Sequence, residues 1–228
     1  MNKNNINITF FCGGSGCSSF IKYLENFKDV NINLIINGYD YGKSSGKIRR
    51  IFPNMLGPSD FRKNISFLMN DSNILKEIID YRIQNLNEYK DLTSISNLKT
   101  NNSYISKLIF NLPFNKFLEF ADYIKIFNFH ISKLENEDNL ENFFNDFSIG
   151  NILFAGFFLK NKNFNIALKE FSLFCEIHHK VLNITDGRSL YLYSLNSKGK
   201  ISNEEEIIEN ANLEKILDIF LFENNISN

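Results

Sequence analysis

The N-terminal region alternates between apolar runs of strand length and an amphipathic stretch. Residues 6–11 and 30–36 are two such runs, and residues 20–27 between them carry apolar side chains at helical spacing. The pattern predicts strand, helix and strand, with the second strand buried and parallel to the first. We therefore expect a β-α-β unit with a right-handed crossover.

Helical periodicity dominates most of the remaining chain. It predicts helices that begin at Ser59 and near Ser72, and further helices over residues 104–120, 121–134, 148–159, 164–175 and 204–221. Short strands are predicted at 180–184 and 189–195 with a hairpin turn at 196–199, and loops at 37–50, 91–103 and 135–142. The mixture of parallel strands and helices predicts an α/β fold.

Composition narrows the class of protein. The chain has 228 residues, 43% of them hydrophobic, which suits one α/β domain over residues 1–228. A net charge of −1 argues against a nucleic-acid partner bound by broad phosphate neutralisation. No signal peptide precedes the first strand, and no apolar stretch approaches the ~20 residues of a membrane span. We expect a cytoplasmic protein without a membrane partner. The three cysteines argue against a disulfide framework.

A glycine turn follows the first predicted strand. Gly13, Gly14, Ser15 and Gly16 lie between that strand and the first predicted helix. Glycine lets the backbone approach an anion closely, and this layout presents N–H groups to a phosphate. The alternative is a plain connection between strand and helix.

A second polar segment follows the second strand. Asp40 lies where α/β sheets open their binding crevice, and its carboxylate suits Mg²⁺ or a ribose hydroxyl. Beside it we expect a flexible, basic turn that is rich in hydrogen-bond donors, formed by Gly42, Lys43, Ser44, Ser45, Gly46, Lys47, Arg49 and Arg50. The alternative is a solvated basic loop.

Two predicted helix starts carry further candidates. Ser59 suits the N-cap and Asp60 the first turn of one helix, in which Arg62 can contact a phosphate. Ser148 and Asn151 open another helix. Ordinary capped helices are the alternative at both places.

Jointly, these motifs resemble the 2-phospho-L-lactate transferase (CofD-like) family, which includes the YvcK-type gluconeogenesis factors. The resemblance is carried by the glycine turn, by Tyr-Asp-Tyr-Gly-Lys-Ser-Ser-Gly-Lys-Ile-Arg-Arg at 39–50, and by Met-Leu-Gly-Pro-Ser-Asp-Phe-Arg-Lys-Asn at 55–64. Ser-Ile-Gly-Asn at 148–151 and Lys-Val-Leu-Asn-Ile-Thr-Asp at 180–186 follow in the family's order. The form of the 55–64 motif is closest to an uncharacterised subgroup.

The resemblance implies a Rossmann-like three-layer fold with a mainly parallel sheet. It also implies a transferase that takes a nucleoside-diphosphate-linked donor and passes on a phospho-containing group with Mg²⁺. Asp40 would then hold the metal or orient the acceptor, and Ser44, Ser45 and Arg62 would stabilise phosphate charge. The nucleotide would contact residues 13–16, Gly46, Asp60 and Asn151.

Two departures from the family pattern support an alternative. Tyr41 stands where the family has a second consecutive aspartate, and the chain reaches Asn228 near the start of a further glycine-containing family segment. The alternative is a non-catalytic regulator that binds a nucleotide or nucleotide sugar. A homodimer or a complementing chain are the protein partners that we expect.

Overall fold

The parallel strands and most of the helices predicted from the sequence are present in the computed structural model. It describes residues 6–41, 43–97, 99, 103–133, 142–203, 206–207, 215–223 and 226. The helices are α1 (Ser18–Leu24), α2 (Lys43–Ile51), α3 (Ser59–Phe67), α4 (Ile74–Asp80), α5 (Leu86–Ser96), α6 (Tyr104–Phe110), α7 (Phe114–Ile131), α8 (Ile149–Asn161) and α9 (Phe164–Phe174). The strands are β1 (Ile6–Cys12), β2 (Val30–Ile36), β3 (Arg82–Ile83), β4 (Phe147–Ser148), β5 (Lys180–Asn183), β6 (Tyr191–Asn196), β7 (Ile201–Asn203) and β8 (Ile216–Phe222).

The parallel sheet has the strand order β1-β2-β5. β1 and β2 run parallel along their whole length, and β5 joins the other edge of β2 in the same direction. The Rossmann-like α/β class and the mainly parallel sheet are therefore confirmed. β6, β7 and β8 form a separate antiparallel sheet, and Gly199 of the β6–β7 hairpin turn has a φ of +78°.

The core is centred on α8, whose residues from Ile149 to Leu159 are all buried. An apolar helix without a polar face must be covered on all sides. α7 and α9 cover it, and the rings of Tyr123 and Phe157 stack at 3.5 Å between α7 and α8. α3 also packs against α8, and Asn151 of α8 donates to Ser59 at the start of α3.

The prediction of a loop over 37–50 is wrong from residue 43 onward, where α2 begins. The inward face of α2 includes Ser44, Ser45 and Arg49 as well as Ile48, so it lacks the apolar period by which helices are recognised. Ser44, Ser45 and Gly46 therefore belong to a helix rather than to a flexible turn. Gly42 lies outside the described residues.

Other boundaries also differ from expectation. Residues 91–96 belong to α5 rather than to a loop, α6 ends at Phe110 before Pro113, and α7 ends at Ile131. The helix caps shift by one residue: Pro58 rather than Ser59 precedes α3, and Asn73 rather than Ser72 caps α4. The acidic segment predicted at 135–142 lies outside the described residues except for residue 142.

The predicted helix at 204–221 is wrong at its end. Residues 216–222 form β8, which pairs antiparallel with β6. Antiparallel pairing with β6 overrides the local pattern here, as tertiary context often does for short apolar runs. None of the helices within the described ranges has the length and apolar character needed to traverse a lipid bilayer.

Candidate functional site

The glycine turn lies at the carboxyl end of β1 and opens to solvent. Gly13, Ser15 and Gly16 are exposed, and Gly14 is half-buried. A side chain at Gly14 would meet the Asp60 carboxylate, since an added Cβ would lie 3.0 Å from Asp60 Oδ1. The turn thus contacts the first turn of α3 at close range, and the two predicted motifs share one site.

Asn64 fixes the glycine turn to α3. Its side-chain nitrogen donates to the carbonyl oxygens of Gly13 at 2.8 Å and of Gly14 at 3.1 Å, and also to that of Asp60 at 2.8 Å. The residue is fully buried, and its side-chain oxygen is buried without a hydrogen-bond partner. Because the turn carbonyls bond inward to Asn64, the opposite side of the turn stays open to solvent.

Asp60 is the carboxylate that faces the turn. Lys63 lies 3.4 Å from its Oδ1. Burial raises the pKa of Asp60, the negative charge of Asp40 raises it further, and Lys63 and Arg62 lower it in part. The fold therefore brings the carboxylates of Asp40 and Asp60 within electrostatic reach of each other, although 20 positions separate them in the sequence.

A buried network of hydrogen bonds links Ser45, Ser59 and Asn151. The Ser45 hydroxyl donates to the Ser59 hydroxyl at 2.7 Å and accepts from the Ser59 backbone N–H at 3.3 Å. Asn151 donates from its amide to the Ser59 hydroxyl at 3.0 Å, while its own oxygen is buried and unpartnered. These hydrogen bonds connect α2, α3 and α8 beneath the glycine turn. Ser45 and Asn151 therefore stabilise the position of α3.

Arg62 is paired inside the protein. Its guanidinium donates to Asp80 of α4, and only 5% of the residue is exposed. Its Nη1 makes this contact, and its Nε is buried without a hydrogen-bond partner. The structure thus places Arg62 behind α3 and not on the open side of the turn.

The predicted basic turn contributes contacts within the protein. Arg49 is fully buried and donates to the backbone oxygens of Tyr39 and Leu190. Its guanidinium carbon also lies 5.1 Å from the ring centre of Tyr41 and 4.7 Å from that of Tyr191. Tyr41, at the family's second aspartate position, therefore contributes to the burial of Arg49.

Lys47 and Ser44 likewise bind main-chain oxygens of the segment before β4. Lys47 donates to the carbonyl oxygens of Asn142, Phe143 and Asn145, and the Ser44 hydroxyl donates to that of Asp146 at 3.4 Å. Gly46 packs directly on the chain before α2, because an added Cβ would lie 2.0 Å from the Tyr41 carbonyl oxygen. Gly46 therefore packs against the loop that contains Asp40, while Lys47 and Ser44 hold the segment before β4 against α2.

The residues at the turn fit Mg²⁺ in type and number. Mg²⁺ is usually held by one or two carboxylates together with waters and ligand phosphate oxygens. Asp40 and Asp60 supply two carboxylates, and the charge of Asp40 is the second cause, after burial, of the raised pKa of Asp60. Within the described ranges, no group of three or more His, Cys, Asp or Glu gathers as a complete protein-only metal site would require.

Sequence reasoning missed Asn64 and Asp80. Asn64 lies on the inward face of α3 with Phe61, Ile65 and Leu68. A polar residue within such an apolar stripe is the sequence signal that could have identified Asn64. Asp80 comes from the end of α4, and nothing local to Arg62 predicts that pairing. Burial raises the pKa of the Cys12 thiol to about 12, so Cys12 stays protonated at neutral pH.

The parallel β-α-β unit, its exposed glycine turn and the carboxylates beside it define a Rossmann-like α/β protein. The chain belongs to the CofD family, described as 2-phospho-L-lactate transferase CofD, whose sequence profile matches residues 8–227.

Curated relatives match a shorter stretch. The chain is 37% identical over 70 residues to a protein from Thermotoga maritima and 33% identical over 72 residues to one from Nostoc sp., both named "Putative gluconeogenesis factor". These stretches cover 31% and 32% of this chain, and 22% and 15% of the relatives.

Two crystal structures of a UPF0052-family protein from Bacillus halodurans share the fold. Their TM-scores are 0.62 and 0.63 at 22% identity, over 95% and 96% of this chain. The chain spans about half of that protein, namely 51% and 52%.

Proposed function

We propose that this chain binds the diphosphate of a nucleoside-diphosphate-linked donor at the glycine turn and transfers a phospho-containing group with Mg²⁺. The observation that carries the proposal is the contact between the turn and α3, where Asp60 lies against Gly14 and Asn64 holds the turn carbonyls inward. A turn fixed in this way keeps its open side for an anion.

The residues divide into two roles under this proposal. Gly13 to Gly16 contact phosphate through the backbone, and Asp40 and Asp60 hold Mg²⁺. When bound, Mg²⁺ would neutralise phosphate charge that the two carboxylates alone would repel. Ser45, Ser59 and Asn151 act as positioning residues, because their hydrogen bonds fix the start of α3.

A second candidate is a regulator that binds the same class of ligand without turnover. The pairing of Arg62 with Asp80 favours it, since that guanidinium is engaged away from the turn. The two curated relatives named as gluconeogenesis factors also support a role outside the transferase branch. Both candidates need nucleotide binding, and turnover separates them.

Calorimetry tests the shared step. GDP, a UDP-sugar and a dinucleotide are titrated with and without Mg²⁺ into the chain and into Asp40→Asn, Asp60→Asn and Asp71→Asn variants. We expect Mg²⁺ to strengthen binding of one of them, and each site variant to lose about tenfold or more in affinity, about 1.4 kcal/mol. Asp71 is an exposed carboxylate on the α3–α4 connection, so its variant should bind as the wild type does.

Two results would count against the proposal. Absence of binding to all three ligands by a folded sample removes both candidates. Binding that is insensitive to Mg²⁺ and to both aspartate variants removes the metal role. Release of free nucleotide from a donor and acceptor mixture then supports the transferase, and tight binding without release supports the regulator.

A further inference from the structure

A cavity of about 450 Å³ lies between α9 and β5. The parallel sheet has the order β1-β2-β5, so β5 and the strand that precedes the glycine turn are at opposite edges of the described sheet. Small-molecule sites are typically concave, about 300–1,000 Å³ in volume, with apolar walls and a few polar groups. The cavity therefore has the size of a ligand site and lies apart from the glycine turn.

The walls of the cavity are mainly apolar. Leu168 and Leu173 line it from α9, and Val181 and Leu182 line it from β5. Leu168 and Val181 are buried, whereas Leu173 is 62% exposed and Leu182 46% exposed. Covering the two exposed leucines with an apolar group would remove their surface from water, which is favourable. The lining therefore suits a ligand with an apolar portion.

The titratable side chains that line the cavity are all basic. They include Lys169 of α9 and Lys180 of β5, together with His178, and no Asp or Glu is among the described lining residues. Neither lysine forms an ion pair with any residue that the structure describes. Two ammonium groups in this setting complement an anion and repel a cation.

The carboxylates that follow these elements in the chain have partners elsewhere. Glu170 comes directly after Lys169, but its carboxylate accepts from the Asn161 amide at 2.7 Å. Glu176 lies after α9, 3.4 Å from the ammonium of Lys116. Both partners are outside the described lining of the cavity. These two carboxylates therefore do not take the place of an anionic ligand.

His179 lines the cavity at the amino end of β5, but both of its ring nitrogens are engaged. Its Nδ1 accepts from the Ile32 backbone N–H of β2 at 3.2 Å, and its Nε2 lies 2.9 Å from the carboxylate of Glu25, the residue after α1. His179 is therefore part of the wall, and the two lysines are the groups that can hold an anion.

The edge of β5 adds a main-chain donor. The Ile184 N–H donates to the Ile36 carbonyl oxygen of β2 at 3.0 Å. Because main-chain groups alternate in direction along a strand, the Val181 N–H points away from β2, toward the edge of β5 that no described strand covers. A backbone N–H near ammonium groups suits a carboxylate or phosphate oxygen.

We propose that the cavity between α9 and β5 binds a small single-chain anionic amphiphile. Its apolar chain lies against Leu168, Leu173 and Leu182. Its carboxylate or phosphate head binds Lys169 and Lys180. The site stands on the cavity lining and does not depend on the proposed function, since the glycine turn belongs to the opposite edge of the sheet.

Calorimetry with short amphiphiles, kept below their micelle-forming concentrations, tests the site. Hexanoate, octanoate and octyl phosphate are titrated into the full chain, and octanol is the uncharged probe. We expect one-to-one binding of the anions, with octanoate about tenfold tighter than hexanoate because two more CH₂ groups are buried. Octanol should bind about tenfold more weakly than octanoate, because it lacks the charged head. The octyl phosphate titration shows which head group the lysines prefer.

Two variants separate the contacts of the head from those of the chain. Lys169→Gln/Lys180→Gln should weaken octanoate about tenfold and leave octanol unchanged, because only the charged head meets the lysines. Leu173→Ser/Leu182→Ser should reduce the difference between octanoate and hexanoate, because less apolar wall remains. A merely structural role of the lysines would not produce a loss that depends on the charge of the ligand.

The matched control removes the same charge elsewhere. Lys107 of α6 and Lys125 of α7 are exposed and lie outside the described cavity lining, so Lys107→Gln/Lys125→Gln should bind octanoate as the wild type does. Equal unfolding temperatures of the two lysine variants establish that the substitutions leave the fold intact.

Amide chemical shifts locate the bound ligand. Octanoate should shift the resonances of residues 165–183 and leave those of residues 13–16 unchanged. Absence of saturable binding, octanol that binds as tightly as octanoate, or shifts confined to residues 13–16 would each overturn the proposal. Failure of the nucleotide titrations refutes the proposed function and leaves this site in place.

Discussion

The two helices that border the loop around Asp40 use their polar residues in opposite ways. In α2 the cationic side chain of Arg49 points inward and donates to the backbone oxygens of Tyr39 and Leu190. α3 keeps Asp60 and Lys63 against the open glycine turn, with 18% and 36% of their side chains exposed. Both segments look equally suited to phosphate in the sequence, but only α3 presents charged side chains, those of Asp60 and Lys63, to the turn.

The difference shows that charge near a predicted site is not evidence of ligand contact. A buried guanidinium needs hydrogen-bond acceptors, and main-chain oxygens accept from both terminal nitrogens of Arg49, where a phosphate would otherwise accept. Asp60 instead has a raised pKa, chiefly because burial disfavours its charged form and secondly because Asp40 is negatively charged. Perturbed ionisation of this kind is typical of functional sites.

The largest expected effect concerns the close packing of α2. Gly46→Ala would place a Cβ 2.0 Å from the Tyr41 carbonyl oxygen, so the backbone must move. We expect a loss of about 3 kcal/mol in unfolding free energy, or about 9 °C in Tm. Gly13→Ala is the control, because no atom lies within 4 Å of its added Cβ. Equal thermal stability of the two variants would contradict the structural role given to α2.

Arg49→Met tests the inward role of the cation. The methionine would leave buried backbone oxygens without donors, and we expect a loss of about 2 kcal/mol by denaturant titration. Arg49→Lys should recover little of it, since one ammonium lacks the planar fork. Arg188, whose side chain is 69% exposed, provides the control variant Arg188→Met, with an effect below about 0.5 kcal/mol. A nucleotide-binding defect without a stability loss in Arg49→Met would reassign Arg49 to the ligand.

The sequence was most informative where one face of an element is apolar. β2 spans the predicted residues 30–36, and α3 begins at the predicted Ser59, because period and turn signals agree there. α2 was missed because its inward face carries two serines and an arginine. The pairing of Arg62 with Asp80 was also missed, since it depends on how α3 and α4 pack and not on neighbouring residues.

For the candidate site, the sequence predicted individual motifs but not how they come together. The sequence identified the glycine turn, Asp40 and Asp60 as separate motifs. Their convergence needed the fold, because Asp60 reaches Gly14 only after α3 packs beside β1. The role of Asn64 depends on the same contact, since its amide bonds to backbone oxygens that become adjacent on folding.

The smallest expected effect is a pH-dependent difference in stability between Asp60→Asn and the wild type. Burial first, and the charge of Asp40 second, raise the pKa of Asp60 above its unfolded value of 3.8. Below that value the carboxyl is protonated in both states, and as pH rises its ionisation destabilises the folded state. Asp60→Asn should therefore match the wild type in acid and exceed it in stability at neutral pH.

Asp71 provides the opposite case for this prediction. Its pKa is lowered, chiefly by the hydrogen bond from Lys76, so its ionised form stabilises the folded state above the ordinary aspartate pKa. Asp71→Asn should be less stable than the wild type at neutral pH, and the difference should vanish as pH falls through the folded pKa. Unfolding midpoints of both variants across this range decide the matter. If Asp60→Asn also lost stability at neutral pH, Asp60 would be a structural carboxylate like Asp71. The contrast between α2 and α3 would then be wrong, because it depends on Asp60.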